Sequence, residues 1–154
     1  MRSRGSQSVT AACDGAAIIE FALVAPMFLM LVFGTIEYGR LLWTQQALQQ
    51  TAIAGARCMA IAHGAIQSSP CASAGSYSAT STNSYIENIA SGWGLSVQDS
   101  NITLDSTGAD CGGTSGLVEV KITISFTTPV PQIVLLSAGA EPLTAIACYP
   151  SNPF

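Results

Sequence analysis

Residues 13–26, CDGAAIIEFALVAP, set one carboxylate, Glu20, inside the most apolar stretch of the chain. A charge held near the centre of a bilayer costs on the order of 3 kcal/mol, and less near the interface, so an acid in such a segment needs a use. Two are open to it: pairing with a cation where helices meet, or snorkelling to the headgroup layer. The other reactive groups are cysteines. Cys13 precedes the apolar stretch, and Cys58, Cys71, Cys111 and Cys148 follow it. Four thiols in an oxidising compartment point to two disulfides, with three possible pairings. A zinc site built from these cysteines and His63 is disfavoured, because exported thiols oxidise and the spacing matches no finger pattern.

An enzyme needs a converging nucleophile, base and stabiliser. The chain holds a single histidine, His63, and lacks a G-x-S-x-G elbow, a phosphate-cradling glycine motif and an H-E-x-x-H pair. We therefore expect no catalytic residue, no cofactor and no metal. His63, at a helix end, reads as a capping or surface residue. A sequence pI near 4.6 and the absence of a basic patch argue against a nucleic-acid partner. Asn101-Ile102-Thr103 has the form of a glycosylation sequon, a pattern common by chance.

These groups are positioned by an unusually apolar chain of 154 residues, 49% hydrophobic and only 9% charged. Between Ala16 and Ile36 the only ionisable side chain is Glu20, and that run is about 30 Å long as a helix, the thickness of a bilayer core. One membrane span is expected. Arg2 and Arg4 precede it and the remainder is acidic, which places the N-terminus in the cytoplasm and residues 40–154 outside. A removable secretory signal would show small residues just after the apolar run. Helical periodicity instead continues through Glu37, Tyr38, Gly39 and Arg40. Lipidation at Cys13 is disfavoured because the apolar region follows the cysteine rather than preceding it.

The segment EYGRLLWTQQALQQTAIAGARCMAIAHG has no proline and predicts that the helix continues to about Ala62. Leu41, Leu48, Ala52, Gly55 and Met59 fall on one side of it. Beside them Ala52, Ala56, Ala60 and Gly64 form a ladder of small residues that admits a close neighbour, in the same domain or in another subunit. Pro26 predicts a local kink within the span. Residues 65–81 read as an exposed loop pinned by Cys71. A short helix should follow, with Ser84 and Glu87 at capping-box spacing and Gly92 or Gly94 as its end. Strands are expected near Leu95–Gln98 and Ile102–Leu104, joined by a DSN turn. LVEVKITISF alternates apolar Val118, Val120, Ile122, Ile124 and Phe126 with polar residues, which predicts one buried and one wet face. Pro129 and Pro131 end that strand, QIVLLSAG is expected to form a short apolar turn, and a last strand runs from about Leu143 to Tyr149. The expected fold is α+β: a long N-terminal helix that spans the membrane, continues outside, and carries a small antiparallel sheet. Its parts are a cytoplasmic leader (1–15), the span (16–38), the exported continuation (39–64) and a small exported domain (65–154).

A basic polar leader ending in Gly15, then Glu20 and Phe21, then a long apolar helix resembles the processing site of type IV prepilins. The whole stretch from Gly15 to Arg57 resembles the TadE-like proteins of tight-adherence (Flp/Tad) pilus assembly. The matching positions are Gly15, Glu20, Phe21, Ala22, Leu23, Pro26, Gly34, Glu37, Gly39, Arg40, Gln46, Ala47, Leu48, Gln49, Gly55, Ala56 and Arg57. Asp14 stands where many members have a basic residue. The resemblance implies cleavage by a prepilin peptidase between Gly15 and Ala16 and a subunit-assembly role for Glu20 and Phe21. It also implies a bacterial inner-membrane location with other pilins or pseudopilins of the same machine as partners. The expected function is that of a non-enzymatic pseudopilin-like component; the alternative is an anchored exported binding module that is neither processed nor assembled. For the disulfides we expect Cys58 with Cys71, fastening the serine-rich segment to the helix, and Cys111 with Cys148, tying the loop before the best strand to the last one.

Overall fold

The computed structural model describes residues 8–64, 68–106, 111, 116–126 and 142–151, with residues 8–14 as backbone alone. The first element, α1, is an unbroken α-helix of 56 residues from Ser8 to His63, with Pro26 inside it. At about 1.5 Å per residue it is roughly 84 Å long. It starts upstream of Gly15, so the backbone passes through the expected leader boundary without changing conformation. The Gly64 N–H closes the last turn on the Ala60 carbonyl at 3.1 Å.

The two halves of α1 meet different surroundings. Along the apolar half, large side chains such as Ile18, Leu23, Phe28 and Leu31 are exposed. Along the second half a stripe is buried: Leu48, Ala52, Gly55, Ala56, Met59 and Ala60. The small-residue ladder thus serves the chain's own domain. Leu41, expected on the same face, is only half-buried because it lies below the point where packing begins.

The chain after α1 folds back along it. A two-residue hairpin joins β1 (Ala72–Ser73) and β2 (Ser76–Tyr77). Its turn residues Ala74 and Gly75 both have positive φ, 52° and 79°, as a type I′ turn requires. Helix α2 follows at once, from Ala79 to Gly92. It starts earlier than the Ser84–Glu87 spacing predicted, because the Ser78 hydroxyl caps it by accepting the Ser81 N–H at 3.3 Å. The expected loop over 65–81 is correspondingly shorter. At the far end Gly94 takes φ +76°, the Leu95 N–H reaches the Ala90 carbonyl at 2.9 Å and the Gly94 N–H reaches that of Ser91 at 3.0 Å. This is a Schellman stop, and it assigns the helix end to Gly94 rather than Gly92. Thr82, Ile86 and Ala90, one turn apart, are the buried stripe of α2.

Residues 95–98, expected as a strand, join no sheet. Val97 is buried and Leu95 packs on the core, so the alternation is real, but the segment has no ladder. The DSN turn is a single 3₁₀ turn, Asp99–Asn101. The sheet itself is antiparallel in the order β3 (Ile102–Asp105), β4 (Leu117–Ile124), β5 (Leu143–Pro150). Its register aligns Ile102, Ile122 and Ala145 across one face, and Leu104, Val120 and Ala147 one step on. These residues, with Val118, close the core against α1 and α2. The opposite face is not wet throughout as predicted: Glu119 is buried. Cys148 lies directly across from it in the ladder, and the Cys111 sulfur sits 3.7 Å from its carboxylate, so the bridge between those cysteines covers it. The QIVLLSAG segment lies outside the described residues.

The tightest point of the core is where α1 meets α2. A Cβ on Gly55 would stand 2.7 Å from Ile86 Cγ1 and 2.8 Å from its Cδ1, and Ile86 is fully buried. Gly55→Val should therefore cost about 1–3 kcal/mol by overpacking. Adding Ile86→Ala should recover part of that loss. Denaturant unfolding of the full chain in detergent, followed by circular dichroism, measures both.

Candidate functional site

Gly15, Ala16, Glu20 and Phe21 all sit on α1, so helical spacing alone fixes their geometry. Ala16 and Glu20 are four residues apart and share a face. All four are exposed, Phe21 at 73%. No heavy atom lies within 4 Å of a Cβ built on Gly15. Among the described residues Glu20 has no ion pair and no hydrogen bond. Among the described residues, this end of the helix touches nothing in the folded domain, and Glu20 is exposed.

A second carboxylate on the same helix is arranged in the opposite way. Glu37, just past the apolar run, has a side chain only 4% exposed, and its Oε2 accepts from Arg40 Nη1 at 2.9 Å. Its other oxygen, Oε1, is buried without a hydrogen-bond partner among the described residues. The Arg40 guanidinium lies 5.9 Å from the Phe126 ring centre, which links α1 to the end of β4. Because Glu37 is desolvated, removing Arg40 would leave a buried carboxylate without its counter-charge, which is the costly way to break such a pair. The sequence signal was present in the three-residue spacing of acid before base, but nothing in it marked Glu37 as buried.

The bridged cysteines lie away from both carboxylates. One disulfide joins Cys58 of α1 to Cys71, the other Cys111 to Cys148 of β5. Cys58 and Cys71 are buried together with Ala62 beneath Ala72, Tyr77 and Tyr85. The Cys71 carbonyl accepts the Ser78 N–H at 3.0 Å, which carries the constraint on to the cap of α2. His63 is exposed at the end of α1 and stacks on Tyr77, with ring centres 4.1 Å apart. Burial pushes the Tyr77 hydroxyl above its usual range, and a hydrogen bond with the Thr82 side chain opposes that shift.

An exposed apolar half-helix headed by Gly15 and Glu20, and ended by a Glu37–Arg40 pair, is what comparison with known families has to account for. Residues 15–57 match the family model of TadE-like protein. No curated protein and no solved structure matches the chain. The TadE-like match takes in Gly15, Ala16, Glu20, Phe21, Glu37 and Arg40 and stops one residue before Cys58, so α2, the sheet and both bridges lie beyond it. It covers little more than a quarter of the chain. Among the described residues one helix, α1, is long and apolar enough to cross a membrane, and none of its apolar window is buried within the protein.

The bridges beyond the TadE-like segment give a direct test. Peptide mapping without reductant should yield Cys58–Cys71 and Cys111–Cys148 linked peptides; a Cys58–Cys111 peptide would contradict the structure. Replacing Cys58 and Cys71 together by serine opens a loop with a sequence separation of 13. In the chain-entropy model that should cost about 3 kcal/mol of unfolding free energy.

Proposed function

We propose that this protein is a pseudopilin-like, non-enzymatic component of a bacterial Tad pilus-assembly or related secretion machine. The observation that carries the proposal is the placement of Gly15 and Glu20 at the exposed head of an apolar helix that falls within the TadE-like match. In this reading residues 16–38 anchor the chain in the inner membrane, residues 1–15 are a cytoplasmic leader, and the part from residue 39 onward is exported. A prepilin-type peptidase cuts between Gly15 and Ala16. The new α-amino group at Ala16 then lies one turn from Glu20, and the carboxylate pairs with the amino terminus of a neighbouring subunit. Two desolvated charges offset one another only in one stagger of adjacent helices, so the pair selects a register as well as a contact. Phe21 packs at the same contact.

Orientation is tested with reporter fusions at Phe154. An export-dependent reporter should be active there and a cytoplasmic one silent. The reverse result would invert the topology.

Processing and pairing are separated by two substitutions. The open space around Gly15 accepts a side chain, so Gly15→Leu should leave the fold intact, block cleavage and retain the full-length mass. Glu20→Ala should be inserted and cut yet fail to co-purify with other pilus subunits. If Gly15→Leu is still shortened and Glu20→Ala still assembles, both steps are wrong. An uncut wild-type chain that remains a lone monomer would favour a permanently anchored binding module instead.

A further inference from the structure

The protein has two tryptophans, Trp43 and Trp93, and the fold brings them together. Their ring centres are 5.8 Å apart and the planes meet at 65°, an edge-to-face pair. Both remain largely exposed, Trp43 at 60% and Trp93 at 42%. Indoles paired in this way but left uncovered are ill suited to bulk water. Their height along α1 says what covers them. The helix is unbroken, so Trp43 lies about 10 Å beyond Ile36, the end of the apolar run. Side chains on a helix lean towards its N-terminus, which brings the indole a few ångströms back towards the span. That level is the headgroup layer, about 5–8 Å thick on each side of the hydrocarbon, where tryptophan and tyrosine concentrate.

The rest of this edge has the same character. Tyr38 is exposed on the turn just past the apolar run. Phe126, at the end of β4, lies over Arg40. Glu37 and Arg40, the charged groups on α1 between Ile36 and Trp43, are paired with each other. The two indoles share a cleft of about 340 Å³ with Gln46, Ala47 and Gln50. The two amides there are donors suited to the ester and phosphate oxygens of a lipid. Trp93 belongs to the domain and follows the last turn of α2, so its position reports on how the folded domain sits.

We propose that the Trp43–Trp93 pair seats the membrane-proximal edge of the folded domain in the headgroup layer of the bilayer. This rests on residues 16–38 spanning the membrane. The seat holds the domain against the lipid surface and fixes the rotation of α1 before any partner is met.

Single-tryptophan proteins, Trp43→Phe and Trp93→Phe, are reconstituted as full chains into phosphatidylcholine–phosphatidylglycerol vesicles. The lipids carry bromine either near the headgroup end or near the methyl end of the acyl chains. Flotation with the vesicles after alkaline carbonate washing tests the span separately. Both tryptophans should lose about half of their emission to the shallow bromine and clearly less to the deep one. A protein that floats while Trp93 emission is the same in brominated and plain lipid overturns the proposal and leaves the anchor standing. Trp93 shielding that follows the protein-to-lipid ratio instead of bromine position also overturns it, and assigns the face to a second copy. Failure to float removes the anchor and the proposal together.

Discussion

Within a bilayer every backbone N–H and C=O must find its partner inside the segment that carries it, because no water is there to take its place. An apolar run such as residues 16–36 meets that constraint as one continuous helix, and the domain depends on the continuity of α1. Unbroken from Ser8 to His63, the helix is a stiff rod, and whatever follows is built on its side. The second half of α1 is accordingly a layer of the core rather than a stalk. Its alanines and Gly55 keep the surface shallow enough for α2 and the sheet to approach, and the Gln49 amide reaches the Ile146 carbonyl of β5 at 3.1 Å. A three-stranded sheet and one short helix have too little apolar surface to close a core alone. With the rod as the third wall, Ile86, Val118, Val120 and Ile122 are fully buried.

The two disulfides work at different places on this frame. Cys58–Cys71 lies towards the end of α1 away from the span, where it draws the β1–β2 hairpin and the start of α2 onto the helix. Cys111–Cys148 closes over the outer face of the sheet and takes Glu119 out of water. Both reduce the freedom of the unfolded chain, which matters most where a domain is small. The edge nearest the apolar half of α1 has no bridge among the described residues. Aromatic rings and the Glu37–Arg40 pair occupy it instead.

What was legible in the sequence follows from the range of the interactions concerned. The far end of α1 and the alternation in β4 are written in local period, so Leu48, Ala52, Gly55 and Met59, and Val118, Val120 and Ile122, all face inward as their spacing implied, whereas the start of α1 at Ser8, within the expected leader, was not legible. The Gly94 stop was one of two candidates, because a Schellman motif depends on which glycine takes positive φ. The start of α2 was misjudged because Ser84–Glu87 has the spacing of a capping box while Ser78, with no acid partner, makes the cap. Leu95–Val97 shows that period-two burial does not make a strand without an edge to pair with. The burial of Glu119 and Glu37, and the meeting of Trp43 with Trp93, are long-range outcomes and had no local signature. Glu20 stood out as the one charge in the apolar run, whereas Gly15, Ala16 and Phe21 are expected as site residues through resemblance alone.

The two carboxylates of α1 show why the exposed one is the better candidate for an intermolecular role. Glu37 is desolvated, and its charge is answered within the chain by Arg40 one turn on. Glu20 lies deeper in the apolar run, has no cation among the described residues, and faces outward with Ile18, Ile19 and Phe21 around it. An ionised group there either remains close enough to the interface to keep some hydration or finds its counter-charge on another molecule. In the first case the residue is merely tolerated, and its exact position along the helix is unimportant. In the second the position decides the outcome, because a partner charge must arrive at the same depth, and a shift of one residue moves the carboxylate by about 1.5 Å and turns it to another face. Moving the glutamate by one residue at unchanged hydrophobicity therefore separates tolerance from recognition, with insertion surviving in both cases and association surviving only in the first.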